Sequence, residues 1–218
     1  MPQTQPTFPL SVSANHRCLV DGAGQPYLVH GDTAWSIITA LTRPEAEQYL
    51  TNRAAKGVNA LIINLIEHKF NGPLTRSGEH PFTDPQDLST PNDQYFDYAD
   101  WVLRRAAELG MLVFLAPMYL GYRHPADDDG WYHEAHLGGM NKCWKYGQYL
   151  GKRYAGFNNI VFLRRPASKY NSGSIPIFIK HNKFLFKDLP LWFRSGKHYQ
   201  ILLNFLNSMI LISLCLKP

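Results

Sequence analysis

Gly57-Val58-Asn59-Ala60-Leu61-Ile62-Ile63-Asn64-Leu65-Ile66 decides the fold of this chain. Apolar side chains fall on both alternating faces of that stretch, so a strand made from it has no face to give to water. It belongs inside a parallel sheet that is covered by helices. The residues before it agree. Thr42 and Glu45 stand at capping-box spacing, Pro44 falls in the first turn where its missing N–H costs nothing, and the predicted helix runs to Lys56 and stops at Gly57. The same unit then recurs. A helix predicted from about Asp93 to Leu109 closes at Gly110 and enters Met111-Leu112-Val113-Phe114-Leu115-Ala116. Another, from about Gly139 to Tyr154, closes near Gly156 and enters Asn159-Ile160-Val161-Phe162-Leu163. Strands alternating with helices are the βα signature.

Upstream, His16 to Val20 and Tyr27 to Asp32 read as a hairpin closed by Asp21-Gly22-Ala23-Gly24. A strand rather than a helix follows those glycines, which counts against a dinucleotide loop. Connection lengths sharpen the fold. Each helix-to-strand link is short, whereas residues 67–92 and 117–138 form long strand-to-helix loops. Long loops are uncommon unless they carry function, and in a (β/α)8 barrel they gather at the C-terminal ends of the strands, where the active site sits. The expected class is therefore α/β: an incomplete (β/α)8 TIM barrel of about four strands, preceded by a β-hairpin. Such barrels usually need about 250 residues, against 218 in this chain.

Charge divides the chain in two. The net charge of +5 comes from 22 Lys/Arg against 17 Asp/Glu. Residues 1–163 hold 13 Lys/Arg and 16 Asp/Glu, whereas residues 164–218 hold 9 and 1. Of the 16 alanines only Ala167 lies past residue 163. Three segments follow: an arm at 1–9, a partial barrel at 10–163, and an atypical basic and apolar tail at 164–218 with the composition of a non-native continuation. Lys180, Lys183, Lys187, Arg194 and Lys197 interleave with aromatic residues in that tail, a pattern that binds single strands in some proteins. No recognised module surrounds them, and nucleic acid is not an expected partner. The apolar run Ile201–Leu216 is shorter than the roughly 20 residues that span a bilayer, so a membrane is not expected either. MPQTQPTFPL lacks the features of a secretory signal, which makes the cytoplasm the default location. Cys18, Cys143 and Cys215 have no disulfide or zinc spacing.

Several residues suit carbohydrate chemistry. Asp32 ends a strand in Gly31-Asp32-Thr33-Ala34-Trp35, where a carboxylate can accept sugar hydroxyls and an indole face can pack on a sugar ring. The alternative is that Asp32 caps the next turn and Trp35 is core. Asn64 and Glu67 close the second strand, at positions that line a pocket in this fold. Tyr119, Tyr122, Trp131 and Tyr132 make the next loop unusually aromatic, as a sugar platform or an anchored lid would be. His124 to His136 also contains Asp127, Asp128 and Asp129, but neither a calcium-loop alternation nor an H-E-x-x-H pair is present. No metal or other cofactor is expected. No G-x-S-x-G elbow or phosphate loop occurs.

Taken in order, Leu10 to Arg17, Asp21 to Pro26, Gly31-Asp32-Thr33-Ala34-Trp35, Leu41-Thr42-Arg43, Asn52 to Gly57, Leu115 to Tyr119 and Tyr149 to Tyr154 resemble the apiosidase-like glycoside hydrolases of family 140. The resemblance implies a bacterial (β/α)8 enzyme that cleaves glycosidic bonds in plant cell-wall polysaccharide, with apiose-containing pectin side chains as the substrate class. It also implies two catalytic carboxylates. One is the Asp of a Gly-Gly-Asp segment after the fourth strand, and the other is a Glu on a later strand. Here Leu163-Arg164-Arg165-Pro166 stands where the first would be. A truncated or frame-shifted gene would produce both this departure and the composition break. The expectation is an inactive glycosidase fragment that keeps Asp32, Trp35, Asn64, Glu67, Tyr119 and Trp131 as carbohydrate-binding positions. A non-catalytic carbohydrate- or partner-binding module is the alternative. Half a barrel would also self-associate through exposed sheet edges.

Overall fold

A computed structural model describes residues 5–67, 72–120 and 130–163. The tail at 164–218 and its basic-aromatic pattern, together with Tyr122, His124 and Asp127 to Asp129, lie outside the described residues.

Two sheets share the described residues. β1 (Ser11–Val12), β2 (Leu19–Val20) and β3 (Pro26–Tyr27) form a small antiparallel sheet with Val20 opposite Pro26. The second sheet is parallel, in the order β4 (Gly31–Thr33), β5 (Ala60–Asn64), β6 (Leu112–Ala116) and β7 (Ile160–Phe162). The expected hairpin is thus β2 and β3, but its second strand does not run on to Asp32. Gly31–Thr33 instead pairs with Ala60, Leu61 and Ile62 as the first strand of the parallel sheet.

Helices connect these strands. α1 (Ile37–Ala40) is a single turn, and α2 (Arg43–Ala55) opens on Thr42, where both hydrogen bonds of the capping box are formed. α3 (Asp93–Glu108) is capped by the Asn92 side chain, which accepts from Gln94 N. α4 (Tyr132–Arg153) is broken at Gly139, where φ is 65°. The helix expected from Gly139 is therefore the second part of α4, and a short helical piece precedes it.

All five residues of β5 are buried, as the sequence demanded. Leu61, Ile63, Val113, Leu115, Ile160 and Phe162 face the helices and enter the main core. Burying each such side chain contributes about 1.5–3 kcal/mol. On the other face, Ala60 and Leu112 meet Leu10, just before β1, and Tyr27 of β3, with Phe114 and Val161 half-buried beside them. Ion pairs fasten the helices. Arg105 of α3 holds Glu47 of α2 through both carboxylate oxygens at 2.6–3.0 Å, and Arg153 of α4 reaches Asp93, Asp97 and Asp100 of α3.

Candidate functional site

The parallel ladder continues past the named strands and gathers the site at its C-terminal end. Ala34 N donates to Ile62 O at 2.9 Å, and Asn64 N then donates to Trp35 O at 3.1 Å. One strand further, Leu65 N donates to Ala116 O at 2.8 Å and Tyr119 N to Ile66 O at 3.3 Å. These bonds bring the ends of three strands level. The Trp35 and Tyr119 rings consequently meet edge to face, with centroids 6.2 Å apart. The Trp35 indole N–H is shielded and has no hydrogen-bond partner. An orphan donor of that kind is uncommon in a folded protein.

Asn64 and Glu67 lie beside this pair, and both are buried. Asn64 Nδ2 donates to Glu67 Oε1 at 3.2 Å, and Thr39 Oγ1 donates to Oε2 at 3.3 Å. Burial pushes the Glu67 carboxyl above the usual glutamate range, opposed in part by hydrogen bonds from Ser36, Asn64 and Thr39. Trp35, Asn64, Glu67 and Tyr119, four of the six candidate residues, are thereby brought together.

The other two are placed elsewhere. Asp32 pairs with Leu61 in the register and so shares its helix-facing side. Its Oδ2 accepts from the Tyr49 hydroxyl at 3.0 Å and meets Arg53 Nε at 2.5 Å, both from α2. Burial works against the charge of Asp32, but bonds from Thr33 N, Tyr49 and Arg53 outweigh it and hold the carboxyl below the usual range. Trp131 donates its backbone N–H to Tyr119 O at 2.9 Å, while its fully buried ring packs edge to face on Phe82 and His80. Tyr132 stacks on His136 with centroids 5.8 Å apart.

Sequence reading missed Ser36 and Thr39, which reach Glu67 from the turn after Trp35. Two hydroxyl residues within that apolar turn were the available signal. Among the described residues no group of three or more His, Cys, Asp or Glu could hold a metal ion, and no helix is long and apolar enough to cross a membrane. Cys18 is exposed and Cys143 buried, both as free thiols.

Residues 13–178 match the family described as apiosidase-like, catalytic domain. The chain belongs to the apiosidase-like family. The match to this family runs past residue 163, where the composition changes. Solved structures agree on the fold. A structure described as a glycoside hydrolase is 25% identical with a TM-score of 0.56, over 70% of this chain and 33% of its own. A family 5 glycoside hydrolase from Bacteroides vulgatus is 22% identical with a TM-score of 0.55, over 70% of this chain and 31% of its own. A family 5 mannosidase from Rhizomucor miehei is 12% identical with a TM-score of 0.51, over 73% and 48%. This apiosidase-like chain therefore spans about a third of the length of the first two structures it matches. No curated protein matches it.

Proposed function

We propose that residues 10–163 form an incomplete (β/α)8 glycoside hydrolase barrel whose strand C-termini bind plant cell-wall carbohydrate of the apiose-containing pectin class. The observation that carries this reading is the Trp35–Tyr119 ring pair at the strand C-termini, where Asn64 N donates to Trp35 O. Aromatic faces pack on the apolar C–H face of a sugar. Asp32 and Trp131 support the wall from behind, Asp32 by docking α2 and Trp131 by anchoring the loop that carries Tyr119. The family's place for a catalytic carboxylate, after the fourth parallel strand, holds Leu163-Arg164-Arg165-Pro166 here. The 218-residue chain accordingly binds such sugars without hydrolysing them. Incubation of the purified chain with aryl glycosides and pectic oligosaccharides should release no product while calorimetry shows saturable binding. Steady turnover would refute the inactive reading.

A further inference from the structure

Glu67 stands where the chain leaves β5, and it is 1% exposed. Both of its carboxylate oxygens are taken, Oε1 by Asn64 Nδ2 and Oε2 by Thr39 Oγ1, with the Ser36 hydroxyl as a further donor. All three donors are neutral. Asn64 belongs to β5, whereas Ser36 stands at the start of the single turn of α1 that follows Trp35 and Thr39 lies within that turn. The titratable neighbour from the other packed element is Tyr95 of α3, whose hydroxyl donates to Leu65 O at 2.9 Å. Burying a carboxylate on neutral donors costs free energy, and a protein that only needed shape here would do better with an apolar residue. What the carboxylate achieves is a tie between two strand ends.

We propose that Glu67 is a positioning residue, which ties the turn after Trp35 to Asn64 and so sets the Trp35–Tyr119 wall without itself touching the sugar. Only the sugar consequence rests on the carbohydrate reading above. The tie has two protonation states. As a carboxylate, Glu67 accepts from Thr39. When a proton from solvent is taken up on Oε2, that oxygen becomes a donor to Thr39 Oγ1, and the Thr39 hydroxyl turns to the Ser36 carbonyl oxygen 3.5 Å away. Asn64 keeps its bond to Oε1 in both states. The turn that carries Trp35 therefore senses the proton.

The test follows the indole N–H resonance of Trp35 in the full chain without sugar, assigned by its loss in Trp35→Phe, from about pH 4 to about pH 9. Wild type should show one transition above the ordinary glutamate range, and Glu67→Gln should abolish it. Thr39→Val removes a donor to the charged form and should move the transition to higher pH. A resonance that does not titrate in wild type, or a transition that survives in Glu67→Gln, overturns the proposal. In a second arm, affinity for a pectic oligosaccharide should fall about tenfold or more in Glu67→Ala and return to within about threefold of wild type in Glu67→Gln. If Glu67→Gln binds as weakly as Glu67→Ala, Glu67 contacts the sugar and the positioning role is lost. An indole transition without any sugar binding supports the positioning role and removes the carbohydrate reading instead.

Discussion

Trp35 and Tyr119 come from strand ends separated by a whole βα unit, yet their rings share one edge-to-face contact. Removing Trp35 deletes both the ring face and the unbonded indole donor. Trp35→Ala should weaken oligosaccharide binding by on the order of tenfold, read by calorimetry, with the unfolding midpoint changed far less. Glu67 makes a separate prediction about pH. Its folded carboxyl holds a proton above the ordinary value of 4.5, so over that window the unfolded chain binds fewer protons than the folded one. Stability contributed by this group is therefore lost as pH rises from about 4.5 through the raised value. Urea unfolding across that range should show wild type losing stability relative to Glu67→Gln, and parallel curves would contradict the burial argument. At this scale the sequence showed which residue types stood at strand ends but not where they turned. From its position Asp32 suited either a sugar ligand or the cap of the next turn, and only the register reveals that it shares the helix-facing side with Leu61 and meets Arg53.

Elements were more legible than side chains, because their signals are local. The Thr42–Glu45 box, the helix start near Asp93 and the doubly apolar Ala60–Asn64 run each state their own structure, and each is found. Two misreadings share one cause. Gly139 looked like the start of a helix, whereas it breaks α4 and a short helical piece with buried Ala135 precedes it. Likewise Gly31-Asp32 looked like the end of a hairpin strand, although pairing of Gly31 with Ala60 makes it the start of a parallel one. Partners distant in sequence decide both cases. The helix stops are testable. Gly57 has φ 79° and an added Cβ there would meet His30 Nδ1 at 4.0 Å, an ordinary contact, while at Gly110, with φ 73°, it would lie 2.9 Å from Pro6 Cδ. Gly57→Ala should cost about 1–2 kcal/mol in urea unfolding from the left-handed backbone alone, and Gly110→Ala more.

On the scale of the molecule, the four-stranded sheet ends at β4 and β7 among the described residues, and its inner side carries half-buried Phe114 and Val161. Edges that no other described strand pairs with, next to apolar surface, favour association. Sedimentation velocity should show species heavier than the 24.9 kDa chain that dissociate on dilution; a strictly monomeric profile would show that the edges are covered. The small antiparallel sheet explains how the described part holds together, since Leu10 and Tyr27 cover Ala60 and Leu112 from the side opposite the helices. It also leaves the C-terminal end of the parallel sheet to the Trp35–Tyr119 wall. If this end binds carbohydrate as proposed, calorimetric titration of the folded chain with an apiose-containing pectic oligosaccharide should give saturable heat that weakens about tenfold in Trp35→Ala; no saturable heat from the folded chain, or equal affinity in the two proteins, would refute sugar binding at the Trp35–Tyr119 wall.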